Sequence, residues 1–265
     1  MPMAVSDGVE IYYEVRGDGP TVLLHTGAGG DSRIWEHAGY VDALSGYRKI
    51  LMDQRGRGRS GRPASLESHR MEHFVSDIAA VLDDAGADKA AFWAYSNGIY
   101  VGLAFGAAHP GRLGAMIGTG TLSYSDICDL PPIEDPEAFI EEQIAKGGVA
   151  ADVDRFMKED NERFPDPIDR NVRDGDPRMY ALSRIARRSW RGPRSLYATC
   201  SVPVLMLTGA REEDDGETEK SVAEIPKARM VRIPGVGHLA SFSRSDLTVP
   251  HAAAFLEEHL PAQGG

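Results

Sequence analysis

The segment AFWAYSNGIYVGLAF places a serine between a buried strand pattern and an apolar helix pattern. A serine hydroxyl is a weak nucleophile, so catalysis requires it to be exposed and to lie beside a base. A tight strand-to-helix turn exposes it, provided that the residues two positions away on either side are small. Ala94 and Gly98 flank Ser96 in this way, one methyl group away from the G-x-S-x-G nucleophile elbow. The alternative is a serine that only caps the following helix.

A glycine-rich loop, HTGAGG, follows the strand pattern TVLLH. Such a loop can aim a backbone N–H at a negative charge that develops on a substrate oxygen. The N–H of Asn97, directly after the serine, would be the second donor. A phosphate-binding loop is the competing interpretation, but the Lys-Ser/Thr pair that completes a P-loop is missing.

One histidine differs from the others in its position. His238 lies just past a strand pattern, in the glycine-bearing turn of RMVRIPGVGH. Ligands of open α/β sheets bind at the carboxyl edge of the strands, and a histidine in such a turn can face that edge. The other seven are predicted to be structural or solvated, although the first of them could brace the glycine loop: His25, His37, His69, His73, His109, His251 and His259.

Short apolar runs bounded by turn residues predict the strands that must position these groups. They are VEIYYEV, TVLLH, KILMD, AAFWAY, GAMIGTG, VPVLMLTG and RMVRIPG. Most do not alternate between polar and apolar residues, which is typical of strands buried on both faces of a mainly parallel sheet. Helical patterns lie between them, most clearly at 67–86, where Gly86 ends the helix. The predicted fold class is α/β, a mostly parallel open sheet with helices on both faces.

The long interval between Gly120 and Val202 carries no strand pattern. Three helical patterns fill it instead: DPEAFIEEQIAKGG, ADVDRFMKEDNERF and PRMYALSRIARRSW. A loop of this length is seldom structureless in a compact domain. Residues 123–199 are predicted to form a helical cap (lid) inserted into a core domain of residues 1–122 and 200–265. Extra helices packed at the sheet edge are the alternative.

Four segments together resemble the α/β-hydrolase superfamily over essentially the whole chain: HTGAGG, DQRGRGRSGRP, AYSNG and PGVGH. In that family the first supplies the oxyanion loop, the second follows a central strand, and the last carries the histidine of a catalytic triad. The resemblance implies that Ser96 is the nucleophile and His238 the base, and that Gly27 and Asn97 form the oxyanion hole. It implies neither a metal nor an organic cofactor, and it favours the cap.

The second of these segments also matches a dinucleotide fingerprint. Gly56, Gly58 and Gly61 satisfy G-x-G-x-x-G after a strand, but the fingerprint would continue into an apolar helix, whereas this chain continues as RPAS. The segment is therefore predicted to be a structural turn. Asp53 and Arg55 are expected to hold loops rather than to perform chemistry.

The resemblance further implies a carboxylate after the strand VPVLMLTG, where the chain reads GAREEDDGETE. Such an acidic run has the composition of a solvated surface loop. A G-x-x-D arrangement counted from Gly209 nevertheless reaches Glu212, which is the predicted triad acid. Glu213 and Asp214 in the same loop, and Asp126 after the preceding strand, remain alternatives.

The expected function is that of a serine hydrolase that cleaves an ester or lactone of a small molecule through an acyl-enzyme. Ser96 stands where haloalkane dehalogenases and epoxide hydrolases of the family carry aspartate, so these activities are disfavoured. The same triad could hydrolyse a C–C bond of a diketone or an amide, or transfer an acyl group. A small-molecule receptor that keeps the fold with little turnover is a further alternative.

Specificity is expected to come from the cap. The candidate pocket residues there are Tyr124, Phe139, Met157, Met179, Tyr180 and Trp190. Four arginines near the end of the predicted cap could attract an acidic substrate, although a solvated basic helix face is the plainer interpretation: Arg184, Arg187, Arg188 and Arg191.

Composition limits the partners and the compartment. A net charge of −11 argues against nucleic acid and against anionic membrane surfaces. No apolar run approaches the length of about 18 residues that would cross a bilayer, and the first residues do not resemble a signal peptide. Cys128 and Cys200 are expected to be free thiols. These features predict a cytoplasmic protein whose partner is a small molecule, and they do not indicate an oligomeric state.

Overall fold

The computed structural model describes residues 2–212, 214 and 216–260. Its strands form one eight-stranded sheet in the order β1-β2-β4-β3-β5-β6-β7-β8. The strands are β1 (Met3–Ser6), β2 (Val9–Arg16), β3 (Thr21–His25), β4 (Arg48–Met52), β5 (Ala90–Tyr95), β6 (Leu113–Thr119), β7 (Val204–Gly209) and β8 (Ala228–Ile233). The pairs β1–β2 and β2–β4 are antiparallel, and all the other pairs are parallel. The predicted α/β class is confirmed.

Helices occupy the connections between the strands. They are α1 (Arg33–His37), α2 (Tyr40–Ala43), α3 (Met71–Asp84), α4 (Gly98–Ala108), α5 (Pro136–Lys146), α6 (Val149–Asp160), α7 (Asp166–Arg173), α8 (Pro177–Arg187), α9 (Arg194–Tyr197), α10 (Glu217–Glu224), α11 (His238–Ser243) and α12 (Ser245–His259). Single turns of 3-10 helix lie at Glu67–His69 and Ile127–Asp129. Among the described residues no helix is both long and apolar enough to span a bilayer.

The sheet is covered on both faces, which explains why its central strands lack polar–apolar alternation. Every residue of β5 is buried. Phe92 belongs to an apolar cluster that includes α3 and α4, whereas its neighbour Trp93 belongs to a second cluster that includes α12. Successive side chains of a strand point to opposite faces, so burial of both faces requires apolar residues at every position.

The interval between β6 and β7 contains five helices where the sequence pattern predicted three, and the two additional ones are α7 and the short α9. Helix α6 ends at Asp160, and Asn161 takes the left-handed conformation with φ 53°. Helix α7 begins directly after Pro165. Pro165 and Pro167 interrupt the apolar pattern, but proline is well tolerated at the start of a helix, where its missing N–H would have no partner. The division into core and cap stays a prediction.

The turn after β4 is built by glycine and by Asp53. Gly58 has φ +49°, and a Cβ atom there would lie 2.4 Å from Asp53 Oδ2. The Asp53 carboxylate accepts hydrogen bonds from the backbone N–H groups of Ser32 and Arg59, each at 2.9 Å. The segment that matches a dinucleotide fingerprint is thus a turn that ties two loops together.

Arg55 in the same turn forms a buried ion pair with Asp77 of α3. The two side chains are 0% and 1% exposed, and Arg55 NH2 lies 2.5 Å from Asp77 Oδ1. The guanidinium also donates to the carbonyl of Ser68 at 2.8 Å. This pair joins the turn after β4 to the first long helix of the core.

Removal of the Asp77 carboxylate should destabilise the fold strongly. Asp77→Ala leaves the Arg55 guanidinium buried without its counter-ion, which typically costs about 3–5 kcal/mol. A domain of this size should then melt roughly 10 °C lower. The matched control is Asp83→Ala in the same helix, because Asp83 pairs with Arg112 at the surface and is 67% exposed. Equal melting temperatures of the two variants in a calorimetric scan would contradict the structural role of the buried pair.

Candidate active site

Ser96 lies at the sharp turn between β5 and α4. Its φ is +51°, a conformation that residues other than glycine seldom adopt. Two residues later, a Cβ atom on Gly98 would lie 2.6 Å from both His25 Nδ1 and the carbonyl oxygen of Thr26, so only glycine fits there. Backbone strain of this kind persists where the surroundings hold it, and here it presents the hydroxyl at the carboxyl edge of the sheet.

The structure brings Ser96, His238 and Glu212 together. His238 Nε2 lies 3.1 Å from Ser96 Oγ, and His238 Nδ1 lies 2.7 Å from Glu212 Oε2. Both the histidine and the glutamate are buried, with 6% and 7% of their surface exposed. A hydroxyl, an imidazole and a carboxylate are therefore joined by two hydrogen bonds across residues that are far apart in sequence.

Glu212 is held by the strand end that precedes it. Its Oε1 accepts a hydrogen bond from Gly209 N–H at 2.8 Å, which leaves Oε2 for the histidine. The alternative acids lie elsewhere: Asp214 accepts from the N–H groups of Gly216 and Thr218 at the start of α10. Asp126 accepts from Ser195 N–H at 3.2 Å. Glu213, the remaining alternative, lies outside the described residues.

Two aromatic rings enclose the imidazole. Tyr95 stacks on His238 with centroids 5.2 Å apart, and Phe156 stacks on it with centroids 4.4 Å apart. The Tyr95 hydroxyl also donates to the His238 carbonyl at 3.2 Å. Tyr95 comes from the strand before the serine and Phe156 from α6, so the imidazole is held between the core and the helices above it.

Helix α6 and the residues after it also bind the backbone of the histidine turn. Asp160 Oδ2 accepts from His238 N–H at 2.9 Å, and Glu162 accepts from Gly237 N–H at 2.7 Å and from Ala240 N–H at 3.0 Å. A Cβ atom on Gly237 would lie 2.3 Å from the Asp160 carboxyl carbon, so this close approach requires glycine. Burial raises the pKa of Asp160, while the His238 N–H favours its ionised form.

The glycine loop lies directly against the serine. A Cβ atom on Gly27 would lie 3.0 Å from Ser96 Cβ. The Gly27 carbonyl accepts hydrogen bonds from Gln54 Nε2 at 3.1 Å and from Arg57 NH1 at 2.9 Å, which fixes the peptide plane. Within the described part of the chain, the backbone N–H groups of Gly27 and Asn97 donate to no protein acceptor. Both donors remain available for a substrate oxygen.

His25 braces this loop in its neutral form. Burial lowers its pKa to about 3, so the imidazole is uncharged at neutral pH. Its Nδ1 lies 3.0 Å from the Thr26 carbonyl, an arrangement in which the N–H donates to the carbonyl oxygen. The position of this histidine before the glycine loop gave the only sequence signal for that contact.

A cavity of about 140 Å³ opens beside the Ser96 hydroxyl. From the helical segment, most of its wall is apolar and three charged side chains complete it: Val149, Val153, Phe156, Phe164 and Val172, with Asp152, Arg155 and Arg184. The apolar residues did not stand out in the sequence, because apolar positions at helical spacing in α6 look the same whether they face a core or a cavity. The lining is suited to the hydrocarbon part of a substrate.

The predicted pocket residues lie in different places. Met179 and Tyr180 line clefts between α8 and the core. Tyr124 instead donates to Glu224 on α10 at 2.7 Å, and Trp190 packs edge-on against Tyr100 with centroids 6.3 Å apart. Neither Tyr124 nor Trp190 belongs to the lining of the cavity at Ser96, so they are corrected as pocket candidates.

The other two candidates, Phe139 and Met157, also pack inside the helical segment. Phe139 lies against the apolar cluster of α5 and α8. The Met157 sulfur lies 3.2 Å from Arg173 NH2. Neither lines the cavity at Ser96. In these short helices, Phe139 and Met157 pack against neighbouring helices and do not face the cavity.

Comparison with known families identifies the chain. Residues 20–245 match the model of the alpha/beta hydrolase fold family. The chain belongs to this family. Epoxide hydrolase B of Mycobacterium tuberculosis is 34% identical over 100 residues, which cover 38% of this chain and 28% of that protein. The chain spans less than half the length of the curated relatives that it matches.

Solved structures share the fold of this chain over nearly its full length. An esterase from Exiguobacterium antarcticum matches with a TM-score of 0.80 and 19% identity, covering 96% of this chain and 98% of that one. The enol-lactonase from Burkholderia xenovorans LB400 matches with a TM-score of 0.72 and 22% identity, covering 96% and 99%. At these identities the likeness shows the fold alone.

The contact between Asp160 and the histidine turn gives a prediction. Asp160→Ala removes the acceptor of the His238 N–H and lets the imidazole shift, and displacements of about 1 Å at a reacting group can reduce rates about 100-fold. We expect kcat for a cognate substrate to fall at least about tenfold, with an unchanged circular dichroism spectrum.

The matched control is Asp154→Ala. It removes the same side chain from the same helix at an exposed position, where the carboxylate pairs with Arg173. This variant should retain wild-type turnover. If both variants lost activity equally, the effect would be one of charge and not of the bond to the histidine turn.

Proposed function

We propose that this hydrolase cleaves an ester or lactone of a small molecule through a covalent acyl-enzyme. The observation that carries the proposal is the continuous hydrogen-bonded path from Ser96 Oγ through His238 to Glu212. A hydroxyl beside an imidazole becomes a competent nucleophile when the imidazole can accept its proton. Burial of the histidine and the glutamate, with the serine beside a cavity, supports chemistry rather than a surface contact.

In the first half of the reaction, Ser96 Oγ attacks the substrate carbonyl carbon while His238 Nε2 takes the hydroxyl proton. Glu212 stays ionised and stabilises the imidazolium that forms, because its Oε2 faces Nδ1. The imidazolium then returns the proton to the departing alkoxide, and the acyl group remains on the serine.

In the second half, water attacks the acyl-enzyme and His238 takes its proton. The new tetrahedral centre collapses, the acid product leaves, and Ser96 regains its hydrogen. Both tetrahedral intermediates carry an oxyanion, for which the N–H groups of Gly27 and Asn97 are the proposed donors. Arg57 and Gln54 hold the Gly27 peptide by its carbonyl and so position its plane.

The identity of the nucleophile favours cleavage of an ester or lactone over opening of an epoxide. Members of the family that open epoxides use a carboxylate to attack, whereas this chain has serine at position 96. If serine opened an epoxide, it would form an ether, which water does not readily hydrolyse. Attack on an ester or lactone carbonyl instead forms an acyl ester, which water can hydrolyse. Solved proteins of the same fold include an esterase and an enol-lactonase, which is consistent with the proposal.

The nucleophile has a direct test. Ser96→Ala should reduce kcat for 4-nitrophenyl esters by about 10⁴-fold or more, since a triad without its nucleophile retains little catalysis. A fluorophosphonate probe should label the wild-type protein at Ser96, as read by mass spectrometry, and should not label the variant. Unchanged ester turnover in Ser96→Ala would refute the mechanism, and absence of labelling in the wild type would favour a receptor without turnover.

The acid can be tested against a neighbour in the same segment. Glu212→Gln keeps the shape of the side chain but removes the carboxylate that accepts a hydrogen bond from His238 Nδ1. We therefore expect kcat to fall about 10³- to 10⁴-fold. Glu219→Gln is the control, because Glu219 pairs with Arg232 at the surface and is about half exposed. The assignment of Glu212 fails if the two variants hydrolyse the esters equally well.

A further inference from the structure

We infer that the substrate of this site carries a carboxylate, which is bound by the guanidinium groups of Arg57, Arg187 and Arg184 in a small cavity next to Ser96. The inference rests on the proposed function, because it names the substrate class of the same site. The three arginines come from the turn after β4 and from α8.

The arginine cavity lies beside the reaction centre. Gly27 and Asn97, the proposed oxyanion donors, form part of its wall. It also shares Ala28 and Arg184 with the cavity at the Ser96 hydroxyl, so the two spaces adjoin. Its wall also includes the apolar residues Met71, Phe74 and Val101. A substrate whose carbonyl lies at Ser96 can therefore reach the three guanidinium groups along an apolar surface.

The size of the arginine cavity fits a small head group. Its volume is about 30 Å³. A water molecule needs about 10–15 Å³ measured in the same way, so there is room for about two water-sized atoms. This matches the two oxygens of a carboxylate and is too small for an alkyl chain.

Two of these arginines have no counter-ion in the part of the chain that the structure describes. Arg57 NH1 donates to the Gly27 carbonyl, and Arg187 NH1 donates to Asn97 Oδ1. Among the described residues, no carboxylate lies within 4.0 Å of either guanidinium. Arg187 Nε is buried and has no hydrogen-bond partner. A guanidinium carries five N–H donors, so each arginine retains several for a ligand.

The third arginine is partly neutralised. Arg184 NH1 lies 3.4 Å from Asp152 Oδ2 and 2.9 Å from the Tyr180 hydroxyl. It lines both cavities, and it faces Arg187 across one helical turn. Its charge therefore adds to the positive potential without being the principal contact.

The positive charge is costly in the absence of an anion. Burial, with a smaller contribution from neighbouring arginines, lowers the pKa of both Arg57 and Arg187 to about 10, yet both side chains remain charged at neutral pH. Both side chains are half-buried, and charges withdrawn from solvent are normally paired. This concentration of cations occurs in a chain whose net charge is −11, so it is not a consequence of overall composition.

Bracing of the oxyanion loop explains only part of this arrangement. One N–H of Arg57 holds Gly27 and one N–H of Arg187 holds Asn97. A neutral donor such as Gln54 already performs the same task on the loop without any charge. The additional donors and the uncompensated charge are accounted for by an anionic ligand, and carboxylate is the anion whose geometry a guanidinium matches with two parallel bonds.

The test compares esters that differ only in charge. The substrates are the monoethyl esters of succinic, glutaric and adipic acids, whose poor leaving group prevents attack by the free carboxylate on its own ester, and hydrolysis is followed by titration of the acid released. Each is paired with the neutral ester in which an isopropyl group replaces the free carboxylate. We expect kcat/KM to favour the acidic ester by at least about tenfold for one chain length, since a hydrogen bond to a charged group discriminates by about 10- to 100-fold.

Arg187→Met should reduce this ratio about 10- to 100-fold, and Arg57→Met should act in the same direction. Because both side chains touch the proposed oxyanion residues, turnover of all the esters can fall, but that effect cancels in the ratio. Arg191→Met is the matched control, since it removes the same charge from an exposed position four residues beyond Arg187. Its ratio should equal that of the wild type.

A binding measurement tests the anion site independently of turnover. Calorimetric titration of the wild-type protein with succinate, glutarate and adipate should detect binding of one of them, which Arg187→Met abolishes and Arg191→Met retains. Neutral esters hydrolysed as well as the acidic ones through Ser96, together with no dicarboxylate binding, would overturn this inference and leave the proposed function standing. Absence of ester turnover and of fluorophosphonate labelling would instead refute the proposed function, and in that case the titration still decides whether the anion site exists.

Discussion

The contact between Glu212 and His238 organises the carboxyl edge of the sheet. Both side chains are buried, and their mutual hydrogen bond satisfies Glu212 Oε2 and His238 Nδ1, which would otherwise be unpaired in this position. The pair joins the end of β7 to the turn after β8. Tyr95 then packs against the imidazole from β5, so that three parallel strands of the same sheet converge on one ring.

The sequence was sufficient for the fold class and for the residues that converge on this ring. Strands buried on both faces leave uninterrupted apolar runs, and the carboxyl ends of parallel strands meet at a single edge, so residues after separate strands can be placed together without a structure. Ser96 and His238 were identifiable in this way. Glu212 was identifiable from the count after Gly209, although the acidic run offered several neighbours with the same chemistry.

The helical segment could not be predicted to the same depth. Its helices are short and carry apolar residues that serve equally for packing and for binding, so Tyr124 and Trp190 were wrong as pocket residues while Val153 and Phe156 were missed. Helix α7 escaped notice because its prolines interrupt the pattern that would have revealed it. The positive charge of the arginine cavity could not be predicted either. It depends on which arginines have no carboxylate partner among the described residues, and this is a property of three-dimensional contacts.

The contacts of α6 with the histidine turn have a consequence for the timing of the reaction. If the helical segment moves away to admit a substrate, Phe156, Asp160 and Glu162 leave together with it, and the imidazole keeps only its partners on the sheet. The proposed base is then fully held only when the segment is seated on the histidine turn. Closure of the segment and complete support of the imidazole thus become one event, a form of gating in which the open site is a poor catalyst.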